Sequence, residues 1–119
     1  MSYNVDTIEY IGDGRLSIRR GIAVGLQVTL EEERLLPDCS LFEDLDLEGD
    51  PDEMLVLERL NWYGEGSGHC FDEGLVDCVL PATRGHAQFG VIWEGGDSIT
   101  GLEVRDGVVV TRKAGLALL

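Results

Sequence analysis

The chain has 119 residues, 44% of them hydrophobic, and 23 acidic side chains against 9 basic ones, for a formal net charge of −14. That length and apolar content exclude disorder of the whole chain and predict one domain, residues 1–119, able to bury its own core without staples. The charge argues against direct binding of nucleic acid or an anionic membrane, since both present surfaces of the same sign.

The opening residues 1–6 lack the basic and apolar regions of a secretory signal, and the apolar runs 54–57 and 107–110 are too short to span a bilayer. A cytoplasmic protein is expected. Its three cysteines, Cys39, Cys70 and Cys78, are an odd number and are expected to be reduced, mostly packed thiols.

In chain order, residues 3–11 alternate with enough β-branched content to predict a strand, and Gly12-Asp13-Gly14 reads as a tight turn. Residues 15–19 alternate strictly. Arg20-Gly21 reads as a second turn and residues 22–30 as a third strand, so the first three strands are expected to form an antiparallel meander. A short helix over 29–36 is the competing assignment there. Pro37 forces its neighbour into extended or turn geometry. Residues 42–53 form an acidic connecting loop between two halves of one core.

Asp50-Pro51-Asp52-Glu53 is a good helix start, with Asp at the N-cap, Pro at the first position and Glu at the third. Leu60 to Gly64, by contrast, reads as a strand entering a Gly-rich turn. A strand from Leu57 onward is expected, with a short helical turn before it. Residues 75–80 are a short apolar run closed by Pro81, and 83–85 a turn. Strands follow over 86–94, 98–105 and 108–112, joined by Gly95-Gly96-Asp97 and by Asp106-Gly107, a type I′ signal. The sum is a mostly β fold, an antiparallel sandwich or barrel of about 7–8 short strands with at most one or two short helices. The alternative is α+β.

Two Gly-rich pieces share a pattern: Trp62-Tyr63-Gly64-Glu65-Gly66-Ser67-Gly68 and Trp93-Glu94-Gly95-Gly96-Asp97-Ser98. Neither is a phosphate-binding loop: the spacing is wrong, no Lys is present and no helix start follows. They predict a groove with Trp62, Tyr63 and Trp93 as an aromatic floor. Glu65, Glu94, Asp97, Ser67 and Ser98 would form its rim. Aromatic faces with acids suit a sugar, a cationic ligand or an Arg-rich partner surface. The plainer alternative is two hairpin turns, each with a Trp anchoring the core beside it.

Two weaker patterns concern metals. Asp44, Asp46, Glu48, Gly49 and Asp52 approach a calcium loop, but Leu55 stands where the bidentate Glu is needed. His69, Cys70, Cys78 and His86 are zinc-type ligands without the close pairs of a zinc site. No resident metal or cofactor is expected. A catalytic arrangement would pair Cys70 or Ser67 with His69 or His86 and Asp97, or set Glu65 against Glu94 as acid and base.

The expected function is a non-enzymatic binding or inhibitor module for a basic protein partner, acting in the manner of immunity-type inhibitors. Steering by the −14 charge would be followed by docking of a few aromatic anchors. The alternative is a small enzyme or ligand binder with a cleft between loops 62–68 and 93–98. The sequence leaves open the oligomeric state and whether the acidity is functional or solubilising.

Overall fold

Strand β1 (Val5–Ile11) runs antiparallel to β6 (His86–Trp93), which forms a hairpin with β7 (Ile99–Arg105), itself paired with β8 (Val108–Lys113). The resulting four-stranded sheet has the order β1-β6-β7-β8. The computed structural model describes residues 4–64, 70–94 and 99–113. Period-2 alternation sends Phe89, Val91, Leu102 and Val104 into the core, while Gln88, Gly90 and Glu103 lie less buried on the opposite face. The β7–β8 turn has Asp106 at φ 46° and Gly107 at φ 86°, the positive pair that a type I′ turn requires.

Two small sheets complete the β structure. β2 (Leu16–Arg19) pairs with β4 (Met54–Leu57), and β3 (Cys39–Ser40) with β5 (Trp62–Tyr63). Helix α1 (Arg20–Glu32) follows β2 directly, and the π-helical α2 (Phe71–Val79) runs into a 3-10 turn, Leu80–Ala82. A second 3-10 turn, Leu41–Asp44, follows β3. The mostly β expectation is met, with eight strands and two helices among the described residues. One core joins all of them, centred on fully buried Leu16, Ile18, Leu30, Trp62, Leu75 and Phe89.

Four expectations are corrected. The predicted third strand, 22–30, is α1. Its alternating Ile22, Val24, Leu26, Val28 and Leu30 do fit a strand, but helical spacing turns Ala23 and Leu30 inward and leaves Ile22, Val24 and Val28 exposed. Tertiary packing overrode β-propensity. The N-terminal meander is therefore absent: β1 pairs with β6 and β2 with β4. The strand expected from Leu57 onward ends there. Met54–Leu57 precedes it, and 58–61 separate it from Trp62–Tyr63.

The helix start expected at 50–53 is a turn instead, and its carbonyls accept from the first two N–H groups of α1. The Glu53 carbonyl accepts from Arg20 N at 2.8 Å, and the Pro51 carbonyl from Gly21 N at 2.9 Å. Within α1, a Cβ at Gly25 would meet nothing within 4 Å. Gly25→Ala is therefore expected to stabilise the fold by about 0.5–1 kcal/mol, read as a raised urea midpoint.

Candidate functional site

The two Gly-rich pieces begin at neighbouring strand ends. β5 alternates, so Trp62 points into the core at 0% exposure while Tyr63 stands outside at 38%. β6 ends at Trp93, and Glu94 N donates to the Asn4 carbonyl at 2.7 Å, carrying the β1–β6 ladder one step further. Between them lies a cleft of about 510 Å³, lined by Asn4, Val5, Asp6, Tyr63, Gly64 and Glu94.

Asp6 reaches this cleft through a β-bulge. The β1–β6 register jumps from Val5↔Trp93 to Thr7↔Ile92, leaving Asp6 as the extra residue. Bulges re-aim side chains at sheet ends, and nothing in the sequence flags this one. Gly64 sits at φ 112° and packs on Asp38, where a Cβ would approach the Asp38 side chain to 2.6 Å. Only glycine satisfies both conditions without strain.

The electrostatics are one-signed. Both ionisable carboxyls in the lining, Asp6 and Glu94, are exposed acids, and no Lys or Arg stands among the described lining residues. A hydrogen bond to the Cys39 thiol, directly opposite on β3, holds the Tyr63 phenol above its ordinary value, and the Asp44 and Glu43 carboxylates push the same way. The site therefore presents a neutral aromatic ring within an anionic surface.

The other predicted site residues divide. Trp62 is sealed in the core, edge-on to Phe42 with centroids 6.5 Å apart, and its indole N–H has no partner among the described residues. Trp93 is partly buried, edge-on to Phe71 at 5.1 Å, and its N–H donates to Thr100 Oγ1 at 2.9 Å. The exposed aromatic of the cleft is thus Tyr63. Glu65, Ser67, Asp97 and Ser98 lie outside the described residues.

Several of the metal candidates are held in other ways. Asp46 Oδ1 caps Glu48 N at 3.1 Å, Asp50 Oδ1 caps Asp52 N at 2.9 Å, and Asn61 donates to Asp44. The cation at the centre of this acidic loop is the Arg20 guanidinium. It donates to the carbonyls of Asp46 and Asp50 at 2.9 Å each and to Glu53 Oε2 at 2.6 Å. The Cys70 thiol faces the Arg34 carbonyl at 3.9 Å, the Cys78 thiol the Glu73 carbonyl at 3.2 Å, and His86 pairs with Glu103 at 2.7 Å. His69 lies outside the described residues. Among the described residues, no three His, Cys, Asp or Glu side chains gather as a metal would need. Nor does Cys70 bond to His86 as a nucleophile–base pair would.

Burial pushes the Cys70 and Cys78 thiols above their ordinary value near 9, with Glu73 adding to the first and Glu33 and Asp77 to the second. Burial also raises Tyr10, whose hydroxyl donates to the Leu57 carbonyl at 2.6 Å. For each group the folded state holds its proton more tightly than the unfolded state. The stability they contribute is complete below about pH 9 and is lost as pH rises through the raised values. Urea midpoints are accordingly expected to be insensitive to these three groups from pH 7 to 8.5 and to fall above pH 9. The check is a pH series in which Cys70→Ala and Cys78→Ala flatten the alkaline decline.

No helix among the described residues is long and apolar enough to cross a membrane. Comparison with models of protein families, with curated proteins and with solved structures finds no match to this chain.

Proposed function

We propose that this chain is a binding module that engages a basic surface of a partner protein through the Tyr63–Glu94 cleft. One observation carries the reading. The cleft joins an exposed aromatic ring to two carboxyl groups, with no cation in its described lining, in a chain of net charge −14. A guanidinium or ammonium group entering it would meet Asp6 and Glu94 as ion-pair partners and Tyr63 as an aromatic face. The wider charge would raise the encounter rate, and the cleft would hold the docked side chain. A small cationic ligand is the second reading, favoured by the cleft volume of about 510 Å³, which falls within the ordinary range for ligand sites.

The test begins with co-purification from the native extract at low salt, followed by mass spectrometry of what elutes as salt is raised. A stoichiometric basic protein is the expected companion. Its on-rate should fall at least about tenfold between low and high salt. Tyr63→Ala is expected to weaken its binding about tenfold and Asp6→Asn with Glu94→Gln by a similar factor. An on-rate flat across the salt range would remove the steering claim. Unchanged affinity in both variants would remove the cleft.

A further inference from the structure

A second recess lies at the β2–β4 sheet and has the opposite character. It is about 100 Å³, lined by Ile22, Met54 and Ala82 as an apolar floor and by Arg19 and Arg84 as two cationic walls. The local fold explains the convergence. Arg19 ends β2 directly opposite Met54, and Ser17 and Arg84 exchange backbone hydrogen bonds of 2.9 and 2.8 Å, which hold Arg84 beside the same strand. Ile22 comes from the first turn of α1 and Ala82 from the 3-10 turn that precedes Arg84.

The floor continues outward. Ile22, Met54 and Val56 are 40%, 42% and 49% exposed, and Met54 and Val56 share one face of β4. Neither Arg19 nor Arg84 pairs with a carboxylate among the described residues, although the chain carries 23 acidic side chains. Arg84 donates to the neighbouring Thr83 carbonyl at 2.8 Å, which leaves further guanidinium donors for a ligand. The positive end of α1 adds little, since its first two N–H groups are taken by the carbonyls of Glu53 and Pro51.

We infer that this recess docks an acidic peptide segment of a partner protein, with an aliphatic side chain on the Ile22–Met54 floor and a neighbouring carboxylate between Arg19 and Arg84. Charge complementarity selects that occupant. Two guanidinium groups bind a carboxylate through paired N–H donors, and the volume suits a few carbon atoms. A basic segment would be repelled here, and a purely apolar one would leave both guanidinium groups unused. The protein then carries two recesses of opposite sign, one for a cation and one for an acid beside an aliphatic group. The second does not depend on the first.

The probe is a displayed library of random heptapeptides, selected on the full chain at low salt. It is counter-selected on the Arg19→Gln/Arg84→Gln double variant, which removes peptides bound at the acidic cleft. Enriched peptides are expected to carry Asp or Glu within two residues of Leu, Ile, Val or Met. Their affinity should fall at least about tenfold in the double variant, which removes both guanidinium contacts, and about tenfold in Met54→Asp, which removes the apolar floor. Both variants alter exposed positions, and an unchanged urea midpoint separates lost binding from lost folding. No enrichment, or enriched peptides that lack the acid–aliphatic pair, would overturn the inference. So would concentration-dependent self-association of the free chain abolished by the same double variant, which would assign the recess to a second copy.

Discussion

Arg20→Met is expected to lower stability by roughly 3 kcal/mol, which is the scale for losing several charge-assisted hydrogen bonds at a buried site. The side chain is 7% exposed and makes three such bonds, two to main-chain carbonyls and one to Glu53. Glu53 is 58% exposed and regains water when its partner leaves, so the carbonyls of Asp46 and Asp50 carry most of the loss. Gly49 at φ 135° completes the arrangement, since a Cβ there would lie 2.8 Å from the guanidinium. Arg20→Lys is expected to recover little, because a compact ammonium on a different stem does not reproduce the planar fork. Urea melts of the three proteins check this, and limited proteolysis should show the loop at 46–53 opening in the variants. A loss below about 0.5 kcal/mol, the usual scatter of surface substitutions, would show that Arg20 does not organise the loop.

Trp62→Ala is expected to cost about 4 kcal/mol, within the range for deleting a large aromatic from a core. Trp62 is fully buried beside Phe42, and it fits against α2 only because residue 74 is glycine. A Cβ at Gly74 would lie 2.9 Å from Trp62 Cζ2 and 2.8 Å from the Leu35 carbonyl. Gly74→Ala is accordingly expected to cost about 1–3 kcal/mol through overpacking. Trp62→Phe should be far milder than Trp62→Ala: it gives up no hydrogen bond seen among the described residues and keeps a ring against Phe42. Denaturation followed by tryptophan fluorescence reads all three, from Trp93 alone in the two Trp62 variants and from both indoles in Gly74→Ala. A Trp62→Ala variant as stable as the parent would contradict the core placement.

Several strands were legible in the sequence: β2 by strict alternation, β1 by β-branched content although neither of its faces is cleanly apolar, and the β6–β8 meander, with Asp106-Gly107 marking the last turn. What periodicity did not carry was partnership. β1 pairs with β6, far along the chain, and alternation has no term for which strand lies next to which. Helix α1 hid because its large apolar residues happen to alternate, while the apolar part of its inward face is only Ala23 and Leu30 with Leu26 partly buried.

The candidate site was legible in part. Tyr63 and Glu94 do share a cleft, but the two tryptophans that made the paired motif conspicuous do not line it. Trp62 and Tyr63 are neighbours on one strand, so one had to face inward, and the larger apolar ring did. Asp6 was missed because a bulge placed it there, and Asn4 because its carbonyl holds Glu94. The acidic loop misled in another way. Its carboxylates resemble cation ligands, but the cation the loop holds is Arg20, bound by two main-chain carbonyls and one carboxylate, and it opens a helix where a turn at Arg20-Gly21 and then a strand were expected.

The most direct measurement of the central claim is a two-dimensional amide NMR titration of the chain with a short arginine-rich peptide, at low salt and again at high salt. The proposed cleft predicts saturable shifts concentrated at Val5, Asp6, Tyr63, Gly64 and Glu94, fading as salt is added and saturating only at about tenfold higher peptide concentration in Tyr63→Ala. Shifts spread evenly over the acidic surface, with the loop at 43–53 moving as much as the cleft, would contradict it and reduce the charge to a diffuse field.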